Sequence, residues 1–293
     1  MSKKLQEKKR RLGTPTRERI YFNYINKYFN MFMSRYEWTG DISEEAEYFI
    51  MKEFWDKGRI AAFNSKAGDI LAFAPFAEET YNLYDYPVLA NLINTRGSSL
   101  VPVGAQRVDK DIVLGYAQKN HKSVYEMIEF FILRIVDVEM TINTNLKASK
   151  TPWIVATSGE DTTTIKNMYN DLMNDEDTLF VNFNEPEKAR ALVSGAPYII
   201  DKLYAYKQAL ENEILTYLGV DNLGAQEKKE HLITTEVEVN NDIISQCNDA
   251  FLEMFQDFCK KIETVLGHHI EVKSKAEDKS EDMEKTVEEE EQE

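Results

Sequence analysis

Cysteine is nearly absent. The 293 residues include only Cys247 and Cys259, which excludes a disulfide framework and a paired-cysteine metal site. Both are expected as reduced, buried thiols. Proline (7) and glycine (12) are scarce, so collagen-like and low-complexity classes fall away. No run approaches the ~20 consecutive apolar residues of a transmembrane helix, and no membrane partner is expected. Met1-Ser2-Lys3-Lys4-Leu5 is followed by no apolar stretch, so no secretory signal is expected. A glycine-rich phosphate loop is missing, since Lys57-Gly58 runs in reverse order, and so is Gly-x-Ser-x-Gly. The histidines His121, His231, His268 and His269 show no metal-ligand spacing, and His268-His269 is expected as a solvated pair. Glu236 and Glu238, alternating with Val237 and Val239, read as the solvated face of a strand. No enzyme, no metal and no cofactor is expected.

What is there is a globular composition, 43% hydrophobic and 29% charged, with a net charge of -16. That sign is wrong for a general nucleic-acid coat. The charge is unevenly laid out. Residues 1–19 hold eight basic against two acidic side chains, and residues 273–293 hold four against ten. The ends offset one another, so the body between them carries the acidity.

Along the chain the arm up to Leu12 lacks apolar periodicity and reads as disordered. Thr14-Pro15 is a helix-start signal, and an aromatic-rich helix is expected from Arg17 to Trp38, ended by Gly40. Ser43 with Glu44 and Glu45 starts a second helix to about Asp56, closed by Gly58. Short strands are expected over 59–120, among them Ile60–Phe63 and Ile70–Ala74. The strongest helix signal covers 122–147. Val124, Ile128, Phe131, Ile135, Val138 and Ile142 repeat every 3.5 residues there, with Met127, Ile132 and Leu133 widening the face. Such a seam serves core packing in a monomer or subunit packing in a ring. Its helix would be about 39 Å long. Strands are expected at Thr151–Val155 and Leu179–Phe183, with a short helix, Ile165–Met173, between them. A further helix spans 197–219, followed by a polar connection over 222–245. A last amphipathic helix covers Phe251–Leu266, then a closing strand Ile270–Val272 and an acidic tail. The fold class is mainly α with small β elements (α+β).

An ordered series of short segments carries a resemblance. It comprises Lys150-Thr151-Pro152, Met168-Tyr169-Asn170, Ala196–Leu203, Leu215–Val220, Glu227–Glu230, Thr235-Glu236-Val237 and Asn241-Asp242. The chain resembles the portal (upper collar, head–tail connector) proteins of small, Picovirinae-like podoviruses with terminal-protein-primed DNA replication. The likeness is firm over about 90 residues and looser over the aromatic and seam helices.

The resemblance implies a dodecameric ring at one capsid vertex. Its channel would pass double-stranded DNA in packaging and ejection, driven by a separate packaging ATPase. Capsid, scaffold and the lower collar or tail protein would be its neighbours. It would lie in the virion, and in the host cytoplasm during assembly. It divides the chain into a basic arm (1–16), stem helices (17–38, 122–149 and 197–219), a wing (39–121), a clip (150–196), a channel loop (220–245), a wing or crown (246–272) and a disordered acidic tail (273–293). Val124, Ile128, Phe131, Ile135, Val138 and Ile142 would then pack subunits. Lys202 matches a channel lysine and Lys228 and Lys229 match the loop pair. A further channel-lysine position falls at about Val193, beside Arg190. The arm residues Lys3, Lys4, Lys8, Lys9, Arg10 and Arg11 resemble a segment that contacts a structural prohead RNA. Composition alone also admits a cytoplasmic nucleic-acid-binding adaptor using the basic arm.

Overall fold

The computed structural model describes residues 16–65, 70–94, 97–150, 153–156, 190–193, 197–220 and 234–275. Helix α1 (Arg17–Met33) opens them and is followed by strand β1 (Tyr36–Gly40). The expected helix to Trp38 is thus corrected. Tyr36 and Trp38 are buried while Glu37 and Thr39 are exposed, a period of two. They pair antiparallel with β10 (Ile270–Ser274), from Tyr36↔Ser274 to Gly40↔Ile270. Ile270, Val272 and Ser274 are the buried residues of β10. Lys273 and Ser274, assigned to the acidic tail, are thus the end of this strand. Gly40 has φ +97°, and a Cβ there would stand 2.3 Å from the His269 carbonyl oxygen. Only glycine lets the two strands meet at that end.

Helix α2 (Glu44–Asp56) begins as expected. The Ser43 side chain accepts from Ala46 N at 3.3 Å, and three glutamates occupy the first turn. Gly58 closes it with φ +72°. Strands β2 (Arg59–Asn64), β3 (Leu71–Ala74) and β7 (Ile112–Tyr116) form one antiparallel sheet with β2 in the centre. Strands β4 (Phe76–Tyr81), β5 (Pro87–Leu92) and β6 (Ala105–Arg107) form another. Residues 60–63 are buried throughout, which explains their continuous apolar run. Helix α3 (Val124–Lys150) follows, then β8 (Trp153–Ala156), which pairs with β9 (Arg190–Val193). The strand Leu179–Phe183 and the helix Ile165–Met173 lie outside the described residues. Helix α4 (Ile200–Tyr217) precedes α5 (Thr234–Leu266).

The extent of α5 is a second correction. It begins 17 residues before Phe251, takes in the end of the expected polar connection, and makes Glu236 and Glu238 helical instead of extended. Its buried stripe, Ile244, Asn248, Phe251, Phe255, Phe258, Ile262 and Leu266, advances by three or four residues, and the polar Asn248 conceals it in the sequence. Among the described residues the chain divides into two units. One combines the residues up to Ile20 with Arg134–Leu210, and the other combines Tyr21–Leu133 with the residues from Glu211 onward.

The larger unit is centred on α5. Phe255 is fully buried, stacked on Phe54 at 4.9 Å and edge-on to Tyr36 at 5.0 Å. Trp38 and Phe251 complete the cluster; such pairs add to simple area burial. Gly115 in β7 lies so near Phe258 that a Cβ would meet its ring at 2.7 Å. Cys259 is free and buried, and burial pushes its thiol up to about 12. Cys247 is free but only half-buried. His268 is mostly covered and contacts Asn64 Oδ1 at 3.0 Å, so only His269 is the solvated residue expected.

A cluster of polar groups sits inside this core. Arg35 is buried and donates from Nη2 to Asn248 Oδ1. The Ser274 hydroxyl donates to the same oxygen at 3.3 Å. Lys275 N donates to the Arg35 carbonyl at 2.9 Å. Replacing Asn248 with Ala should leave a buried guanidinium without its acceptor and cost about 3 kcal/mol. Urea denaturation measures this, and a loss below about 1 kcal/mol would show that the guanidinium has another acceptor.

Candidate subunit and channel surfaces

Helix α3 carries the seam read from the sequence, but the structure turns most of it inward. Val124, Ile128 and Ile135 are fully buried within the single chain and Val138 nearly so. Phe131 and Ile142 are half-buried. A 3.5-residue repeat cannot distinguish a neighbour in the same chain from one in another subunit. The assignment of Val124, Ile128, Ile135 and Val138 to subunit contact is corrected on that ground. Of the residues read as widening that face, Ile132 is buried but Met127 and Leu133 are exposed, and with them Phe130, 54% exposed, which sequence reasoning missed. On α1, Phe22 is exposed as well. Its signal was the excess of apolar residues over what one seam needs.

Polar clamps tie the helices within each unit. In the larger unit Tyr21 and Tyr125 meet through their hydroxyls, and both donate to Glu129 Oε1, at 2.8 and 2.6 Å. Burial, followed by these contacts, holds the Tyr125 phenol far above its ordinary range. Lys27 reaches Glu211 at 3.0 Å and lies over the Tyr24 and Tyr28 rings. In the smaller unit Arg17 pairs with Asp137 at 2.5 Å and Lys207 with Glu139 at 2.7 Å. Asn145 Nδ2 donates to the Pro197 carbonyl at 2.8 Å, and its Oδ1 accepts from Ile199 N at 3.3 Å. The end of α3 thereby fixes the start of α4.

Lys202 is exposed in the first turn of α4. Tyr206, Ala209 and Glu213, at i+4, i+7 and i+11, are exposed too, so one stripe of α4 presents a single lysine and a single carboxylate. Lys207 is neutralised by Glu139. Arg190 and Val193 are the outer residues of β9, opposite Ala156 and Trp153. Lys228, Lys229 and the arm residues Lys3, Lys4, Lys8, Lys9, Arg10 and Arg11 lie outside the described residues. Among the described residues no group of three His, Cys, Asp or Glu side chains is placed to hold a metal. No described helix is long and apolar enough to cross a membrane. His121 stacks on Tyr116 at 3.7 Å, and burial lowers its pKa.

The Phage Connector (GP10) family matches residues 2–278. The chain belongs to the phage connector family. A solved structure titled "Portal and tail of native bacteriophage P68" is similar with a TM-score of 0.46 and 13% identity, covering 92% of this chain and 90% of that one. The assignment rests on the family match. A connector is a structural component of the virion, located at the portal vertex between head and tail. It works as an oligomeric assembly with capsid and tail partners. In this connector the buried α3 residues serve the fold of one chain. Ile135→Asp should therefore destabilise the single chain by more than about 3 kcal/mol, seen as lost helical signal in dilute solution. A folded, helical Ile135→Asp monomer would return that residue to the subunit surface.

Proposed function

We propose that the connector is a dodecameric ring whose channel passes double-stranded DNA during packaging and ejection. The observation that carries the ring is the exposed stripe Met127, Phe130 and Leu133 on α3. An apolar patch of that kind on a folded chain marks a surface meant to be covered. In this reading α1, α3 and α4 form the stem, the β8–β9 pair belongs to the clip, and the two three-stranded sheets belong to the wing. The packaging ATPase is a separate protein, and the connector itself catalyses nothing.

The charge layout supports a conduit. Tight phosphate contacts hold a duplex in register and oppose sliding. An acidic body, with a net charge of -16 over the chain, repels the backbone. Sparse lysines, Lys202 on α4 and Lys228 and Lys229 in the segment after it, repeat by symmetry as rings that centre the duplex. The arm lysines and arginines give a second, basic surface suited to a structural RNA. The adaptor reading gains nothing from the family match.

The mass of the purified chain at moderate salt, by size exclusion with light scattering, tests the ring. A dodecamer of the 34.0 kDa chain is the expected particle, and a monomer under conditions that include capsid and scaffold overturns it. Phe130→Asp should lower that mass towards the monomer with helical content unchanged. Changing Lys228 and Lys229 together to Ala should leave the ring intact and reduce DNA retained after packaging. An unchanged DNA content would remove both lysines from the channel.

A further inference from the structure

The sheet β4–β5–β6 ends in an apolar knob on one side and an apolar ledge on the other. The knob is the β4–β5 turn. Asn82 N donates to the Tyr86 carbonyl at 2.9 Å, and Asn82 Oδ1 accepts from Tyr84 N and Tyr86 N at 2.8 and 3.0 Å. Asp85 N donates to the Asn82 carbonyl at 3.2 Å, with Asp85 at φ +56°. Asparagine bonding its own downstream backbone is what locks such turns. The locked turn holds Leu83 90% and Tyr84 85% exposed. Tyr81 and Val88 are exposed at its base.

The register sets the ledge at the far end. Phe76 pairs with Leu92 and Asn91 with Ala105, so Ile93 and Val103 both continue past that end. Ile93 N donates to the Pro75 carbonyl at 2.7 Å, which fixes its position. Val103 is 85% exposed and Ile93 is exposed too. The six residues of β5 put about 20 Å between knob and ledge, so neither covers the other within one chain.

We infer that the knob of one copy seats on the ledge of the next, a head-to-tail contact repeated around the assembly. This rests on the ring reading above. A ring needs two different, mutually complementary surfaces on every subunit, and one rigid sheet supplies both. The charges agree. The knob carries the exposed carboxylate of Asp85, which most of this acidic chain would repel, whereas Glu79 is held in mid-strand by Asn91 Nδ2 at 2.6 Å. Residues 91–106 contain no carboxylate.

Paired cysteines test the contact. In a Leu83→Cys/Val103→Cys chain the two positions are too far apart to close a disulfide internally, which needs Cα atoms within about 7 Å. Oxidation should shift the monomer band into a reducible ladder of covalent multimers. Each single variant and the native chain, with its half-buried Cys247 and buried Cys259, should stay monomeric on the gel. Mixing the two single variants should give covalent dimers and nothing larger. Assemblies of native mass without a ladder overturn the contact and leave the ring reading standing. A native chain that stays monomeric with capsid and scaffold present overturns the ring reading and the contact with it. Independently, Leu83→Ser/Tyr84→Ser should raise the concentration at which assemblies dissociate by about tenfold or more with unchanged helical content. No change there also overturns the contact.

Discussion

A buried guanidinium is the constraint around which the larger unit is arranged. Removing such a charge from water costs several kcal/mol unless hydrogen bonds replace the lost hydration. Arg35 finds its acceptor on α5 at Asn248, and Ser274 of β10 shares that oxygen. The backbone of the same arginine accepts from Lys275. The chain at the end of α4 must pass close by. A Cβ at Gly219 would stand 2.9 Å from Arg35 Nη1 and 2.8 Å from Asn248 N, and the residue has φ +66°. Three segments distant in sequence, α5, β10 and the end of α4, therefore meet around Arg35, and the last of them leads into the segment that carries Lys228 and Lys229.

The same knot explains what the sequence concealed. Tyr28, Phe32 and Tyr36 are spaced by four, and nothing between them breaks a helix, so a one-chain reading carries α1 through to Trp38. What ends it is tertiary. Tyr36 and Trp38 also alternate, and β10 supplies a ladder that no local signal announces. Asn248 interrupts the apolar stripe of α5, so the helix reads as starting at Phe251. By contrast α2 was legible because its signals are local: a Ser43 cap, glutamates in the first turn and Gly58 after the last. Strands β2 and β3 and the closing strand were legible for the same kind of reason, short apolar runs bounded by turn residues.

The proposed surfaces were harder to read than the helices that bear them. Periodicity finds the buried face of α3, and Val124, Ile128 and Ile135 are that face. It is silent on whether the neighbour is the same chain, and here it is. Phe130 becomes conspicuous only when the core is seen to be complete without it. Lys202 depended on the family resemblance, because one exposed lysine on a helix is commonplace. The knob at Leu83 and Tyr84 left a trace in the Asn-x-x-Asp turn chemistry, yet its exposure needed coordinates.

A core that closes without neighbours has a consequence for how a ring forms. The Phe255 cluster and the two antiparallel sheets close inside one chain, while Arg35 Nη1 and Trp38 Nε1 are buried there without a hydrogen-bond partner. The residues left for contact are few, and side chains of this kind supply on the order of 1.5–3 kcal/mol each when fully buried. Against the cost of immobilising two proteins, a single contact of that size is weak. Closure changes the balance. With the proposed contact, an open arc would leave one knob and one ledge uncovered at its ends, whereas a closed ring would leave none, and its last subunit would gain two contacts for one loss of freedom. Weak, heterologous patches on a self-sufficient fold thus favour complete rings over arcs. They also let an incorrectly placed subunit leave before the ring closes.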